Sequence, residues 1–167
     1  MDQKIRTILV PLDGSAGSEA VLPAVEDLAR AEGAKVHLLH VASTQVDAVV
    51  VDGRVVVYCD QEAERIRQEA LSYLQKAARA IPGVTVELAV RFGDPADGIV
   101  REVESADADL VAMATHRRTG VRRLLKGSVA EKVERIAKVP VLLVRYGRGW
   151  RRERDGRSTV KPWPNNR

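Results

Sequence analysis

The run Leu110-Val111-Ala112-Met113-Ala114, followed by Thr115-His116-Arg117-Arg118-Thr119-Gly120 and then by Gly127-Ser128-Val129-Ala130-Glu131-Lys132, decides the fold. An unbroken apolar stretch of this length predicts a strand covered on both faces. The loop behind it is basic, with Arg117, Arg118, Arg122, Arg123 and Lys126. Ser128 and Glu131 have the spacing of a capping box, so a new helix is expected from Ser128. Strand, loop and helix N-terminus in that order make an anion site, because free backbone N–H groups and the helix dipole both favour negative charge.

The same alternation extends outward in both directions. Ile8 to Leu12 reads as a strand closed by the turn formers Asp13-Gly14-Ser15. Ser18 to Glu32 reads as a helix with Val21, Val25 and Leu28 on one face, a kink at Pro23 and Gly33 at its end. Val36 to Val41 is the second strand. Gln61 to Ala80 is a long helix carrying Ile66, Ala70, Leu74, Ala77 and Ile81 at helical spacing. Val84 to Val90 is the third strand. Asp94-Pro95 opens a helix that turns Ile99, Val100 and Val103 inward. Ser128 to Lys138 is the last helix and Pro140 to Val144 the fifth strand. Strands and helices in turn predict a three-layer α/β fold, an open twisted five-stranded parallel sheet with helices on both faces.

One segment departs from the alternation. Asp52-Gly53 sits between two valine-rich runs, which predicts a β-hairpin over about 48–58. The chain is 167 residues long, 45% hydrophobic and only 4% aromatic, so aliphatic side chains must build one core domain, expected over 1–146. Its net charge of +4 is unevenly placed: Arg145 to Arg167 holds eight Lys/Arg and two Asp/Glu, while 19 basic and 21 acidic residues precede it. Residues 147–167 are therefore expected to form a flexible basic tail. The single cysteine, Cys59, excludes an internal disulfide and fits a reducing cytoplasm. No secretory signal or span of roughly 18 apolar residues is present, so the expected location is cytoplasmic.

Open parallel sheets bind ligands beyond the carboxyl ends of their strands, where strand order reverses. Pro11-Leu12-Asp13-Gly14-Ser15, His40-Val41-Ala42 and Met113 through Ser128 all end strands at that edge. A nucleotide there needs a carboxylate for ribose or amine, a backbone edge for the base and N–H groups for phosphates. Asp13, Val41 and Gly127-Ser128 supply these.

Those blocks, with Leu38-Leu39-His40-Val41, Gly93-Asp94-Pro95-Ala96, the run Asp107 to Met113, the stretch Thr119 to Val133 and the closing Val139 to Arg145, resemble the universal stress protein family across about Lys4 to Arg145. The resemblance implies a UspA-like, adenine nucleotide alpha hydrolase-like fold, often dimeric, with ATP-binding and non-binding branches. The binding branch carries Gly-x-x-Gly, nine residues, then Gly-Ser or Gly-Thr. With Gly127-Ser128 in register, Ala114 and Arg117 stand where that pattern has glycines. Ala114 adds one methyl. Arg117 either fills the phosphate pocket or grips phosphate with its guanidinium. The expected nucleotide-binding set is Pro11, Leu12, Asp13, Ser15, Val41, Met113, Ala114, Arg117, Gly127, Ser128 and Val129, with ATP as ligand and magnesium as its companion.

No catalytic or metal site is expected. His37 and His40 lie three apart on a strand, so they point to opposite faces and cannot share an ion. Asp13 has a plainer reading as the cap of its own turn. The leading expectation is a dimeric, ATP-binding stress-response regulator, with at most slow incidental ATP hydrolysis. Its rival is a dimeric module without nucleotide that binds acidic partners. An enzyme of the related flavoprotein and hydrolase group is a third reading, lacking an added catalytic domain. The apolar last strand, Val139 to Val144, is expected at a sheet edge that pairs with a second copy.

Overall fold

The computed structural model describes residues 4–43, 49–51, 54–56, 59–116 and 129–146. Five strands form one wholly parallel sheet: β1 (Thr7–Pro11), β2 (Lys35–Ala42), β5 (Val86–Phe92), β6 (Leu110–His116) and β7 (Val141–Tyr146), in the order β5-β2-β1-β6-β7. Between them run α1 (Leu22–Glu32), α2 (Cys59–Ala78), α3 (Pro95–Ser105) and α4 (Val129–Ile136). The architecture is thus the three-layer α/β fold read from the sequence. Strand order reverses between β1 and β6, which opens a crevice at their carboxyl ends.

The continuous apolar character of the strands follows from burial on both sides. Along β1, Ile8 and Val10 face a core with Val25 of α1 and Leu74 and Ala77 of α2, joined by Ile81 beyond that helix. Leu9 faces the other way, against Ile99 and Val103 of α3 and Val133 of α4. β6 alternates likewise: Ala112 joins the first core, Val111 and Met113 the second. Ile8, Leu9, Val10 and Val111 are fully buried, so each strand belongs to two cores at once.

Three local readings change in the structure. The helix expected over 18–32 divides into a 3₁₀ turn, Ser18–Val21, and then α1. Pro23 occupies the first turn of α1, where its missing N–H has no intrahelical bond to lose, so the proline marks a junction and not a kink. The third strand lies two residues later than expected, at Val86–Phe92, because pairing of Val36 with Val86 fixes its register. Val100 is half-exposed, whereas Ala96 is buried and takes the inward position beside Ile99 and Val103.

Other signals appear as read. Gly33 closes α1 in the left-handed region at φ 66°. The Asp94 carboxylate accepts from the N–H groups of Ala96 and Asp97 at 3.0 and 3.1 Å, with Pro95 at the first helical position. β3 (Val49–Val51) and β4 (Arg54–Val56) pair antiparallel, Val49 with Val56, as a separate two-stranded sheet. The turn residues Asp52 and Gly53, the loop 117–128 and the tail 147–167 lie outside the described residues. Among the described residues no helix is long and apolar enough to cross a membrane.

Candidate functional site

The loop after β1 is built by short-range hydrogen bonds. Ser15 donates its N–H to Asp13 Oδ1 at 2.8 Å, and Asp13 donates its own N–H to Ser18 Oγ at 3.3 Å. Ser18 Oγ in turn donates to the Ser15 carbonyl at 2.8 Å. Gly14 sits at φ 87°, a conformation that side chains rarely tolerate, so the sharp turn depends on glycine. Together these bonds hold Asp13 beyond the end of β1. Partial burial works against its ionisation, yet the hydrogen bonds from Ser15 and Ser18 outweigh it and keep the carboxyl below its ordinary value. Asp13 does cap its own turn, as the plainer reading has it, and it does so while standing at the mouth of a cavity.

That cavity, of about 440 Å³, lies at the reversal point of the sheet. Its walls are Pro11, Leu12 and Asp13 after β1, Val41 of β2, and Met113, Ala114 and Thr115 of β6. Val129 and Ala130 at the start of α4, with Pro95 and Ile99 of α3 and Ser18, complete it. Seven residues chosen from the sequence therefore converge here: Pro11, Leu12, Asp13, Val41, Met113, Ala114 and Val129. Ser15 lies one turn away, bonded to Asp13 and not lining the hollow. Arg117, Gly127 and Ser128 fall outside the described residues. Ser18, Pro95, Ile99, Thr115 and Ala130 line the cavity too and were not in the expected nucleotide-binding set. Ile99 and Pro95 had already been assigned to packing and helix initiation, and nothing local marks a core residue that also lines a cavity.

Two further contacts fix the walls. His40 Nδ1 lies 2.8 Å from the Leu12 carbonyl, which can only accept, so the imidazole carries its proton on Nδ1 and holds the end of β1. The ring meets Tyr73 edge-on at 6.1 Å. Burial pushes the Tyr73 hydroxyl up to about 12, so it stays protonated at neutral pH. On the other face, α3 approaches β2 closely at Gly98: a Cβ there would lie 2.9 Å from both methyls of Val41. The short N-terminal turn is equally tight, since a side chain at Gly17 would collide with the Tyr146 ring of β7.

A second polar constellation lies toward β5. His37, 8% exposed, places Nε2 2.8 Å from Glu102 Oε1 and Nδ1 3.2 Å from Glu87 Oε2. Glu102, 5% exposed, also receives Arg91, which donates to Ser105 Oγ at 2.8 Å. Lys35 donates to both oxygens of Glu87, and these bonds with that of His37 hold Glu87 below its ordinary value. His37 thus faces α3 and His40 faces α2, on opposite sides of the sheet. Among the described residues no group of three or more His, Cys, Asp or Glu is placed to hold a metal ion.

The profile of the Universal stress protein family matches residues 4–145. The chain belongs to the universal stress protein family. Universal stress protein YxiE of Bacillus subtilis is 30% identical to it over 144 residues, covering 83% of this chain and 97% of that one. Universal stress protein MJ0531 of Methanocaldococcus jannaschii is 33% identical, covering 84% and 82%. Among solved structures, MJ0577 of the same archaeon superposes with a TM-score of 0.68 at 25% identity, over 86% of this chain and 97% of that chain. A universal stress protein in complex with cAMP superposes at 0.62 and 22% identity, covering 86% and 98%, and shares the fold.

Proposed function

We propose that this universal stress protein binds an adenine nucleotide, ATP with its magnesium, in the cavity between β1 and β6, and acts in the cytoplasm as a ligand-dependent regulator and not as an enzyme. The observation that carries this reading is the convergence of seven sequence-chosen residues on one cavity at the reversal point of a parallel sheet. Leu12, Val41, Ile99 and Met113 offer an apolar slot suited to a purine ring. The Val41 main chain offers an edge to the base. Asp13, held ionised, is placed to accept from ribose hydroxyls or an exocyclic amine. The start of α4 points its first turn toward the same hollow, favouring phosphate on the side that Gly127 and Ser128 adjoin in sequence. Proteins sharing this fold have been solved with cAMP and with dAMP, which is a property of those proteins.

The functional unit in this reading is a homodimer formed through the last strand. β7 is an edge strand whose Val141, Leu142, Leu143 and Val144 are half-buried, so its apolar border calls for a cover. Calorimetric titration tests the nucleotide. Wild type is expected to bind ATP in a salt-sensitive manner, and Asp13→Ala to lose at least tenfold in affinity, the loss of a hydrogen bond from a charged acceptor. Absence of binding in wild type together with binding in Arg117→Gly would assign the chain to the branch that holds no nucleotide, with acidic partners as its ligands.

A further inference from the structure

We propose that the outer edge of β5 is a self-complementary surface that joins two copies of this chain, antiparallel, about a two-fold axis through Ala89. Val36 donates its N–H to the Thr85 carbonyl and Gly93 donates its own to Ala42. The odd residues from 85 to 93 therefore turn their main-chain groups toward β2, and Val86, Leu88, Val90 and Phe92 turn theirs outward. Among the described residues no strand pairs with that outward side. Antiparallel pairing of two such edges must set outward residues against outward residues.

The sequence Val86-Glu87-Leu88-Ala89-Val90-Arg91-Phe92 fits itself in one register. With the axis through Ala89, Leu88 faces Val90 of the second copy, Val86 faces Phe92, and Glu87 faces Arg91. The first two pairs lie on the α2 side of the sheet, where Arg67 and Leu71 flank a hollow against Leu88 and Val90, and Arg67 stacks over Phe92 at 5.4 Å. The charged pair lies on the α3 side, where Glu87 reaches His37 and Arg91 reaches Glu102. Moving the axis to Leu88 sets Glu87 against Ala89; moving it to Val90 sets Glu87 against Gly93. Only the Ala89 axis makes the opposite charges meet, and it makes them meet twice. Charged residues on an edge often repel a second edge. Here the two signs stand two residues on either side of the axis, so they attract. β5 and β7 are the opposite edges of the sheet, and pairing at one leaves the other free.

Cysteine linkage reads this surface independently of the nucleotide cavity and of β7. Two residues facing each other at the axis sit at a non-hydrogen-bonded position, with Cα atoms about 4.5 Å apart, a distance a disulfide spans. In a Cys59→Ser background, Ala89→Cys is expected to give disulfide-linked pairs under mild oxidation. Thr85→Cys, exposed on the same edge, is expected to remain unlinked. Glu87→Lys places like charges opposite each other and is expected to weaken association about tenfold by sedimentation, with a smaller salt dependence. Equal linkage at 85 and 89, or none at 89, overturns the proposal. If circular dichroism shows Glu87→Lys unfolded, the cysteine pair decides alone. Loss of ATP binding with linkage at 89 intact would refute the nucleotide reading and leave this one standing.

Discussion

The two flanks of β2 carry polar chemistry of opposite kinds. Toward β5, buried Glu102 and His37 pair with each other, while Arg91 and Glu87 reach them from the rim, Glu87 held as well by Lys35. At the mouth between β1 and β6, the bonds that Asp13 makes among the described residues lie within its own turn, and it stands over apolar walls. Burial with full pairing is what a structural network needs, since an unpaired buried charge is costly. A held but exposed carboxylate beside an apolar hollow has the opposite character: among the described residues part of its accepting capacity stays open toward the hollow, as the proposed nucleotide site requires. Charge alone does not separate the two; the closure of the hydrogen bonds does.

The sharpest way to break this contrast is to open the closed side. Glu102→Ala strands His37 and Arg91 together, and a loss of about 3 kcal/mol in chemical denaturation is expected, with nucleotide affinity in the surviving folded fraction unchanged. Equal damage to affinity would show that the two regions are coupled. Gly98→Ala acts between them. Its Cβ meets Val41 at 2.9 Å, so α3 or Val41 must give way, and a loss of about 1 to 2 kcal/mol is expected together with weaker ATP binding, because Val41 also walls the cavity.

The smallest effect is in pH. Glu87 is held below its ordinary value of 4.5, so the folded state keeps its carboxylate ionised more readily than the unfolded chain does. That contribution is present above the ordinary value and is lost as pH falls through the lower folded value. Thermal melts of wild type and Glu87→Gln are therefore expected to converge as pH drops below about 4.5. Because Glu87 is largely solvent-exposed, the separation at neutral pH should be slight. A gap that widens on acidification would show that the bonds from Lys35 and His37 do not favour the ionised form.

What the sequence made legible was local. The apolar runs, the Asp94-Pro95 start, the Gly33 stop and the Asp13-Gly14 turn each reflect a rule that acts within a few residues, and all appear in the fold. The cavity-lining residues came into view because strand ends can be placed once strands are known, and because the resemblance to the family marked the same positions. The closed network was not legible. His37 and Glu102 are 65 positions apart, and no rule acting within a few residues links them. A signal existed in Glu102 itself, which sits three residues after Ile99 and next to Val103 on the inward face of α3. The shift of the third strand from Val84 to Val86 has a similar cause. β-branched Val84 and Thr85 suit a strand locally, while the pairing partner on β2 begins at Val36.

The contact between Gly17 and Tyr146 binds residues near opposite ends of the domain into one choice. The tyrosine ring occupies the space that any side chain at 17 would need. The constraint runs one way: a larger residue at 17 calls for a Tyr146 ring turned aside or a smaller residue at 146, whereas a smaller residue at 146 costs Gly17 nothing. A library randomised at both sites and selected for folding should return correlated pairs, in which bulk is traded between the two and seldom added at both.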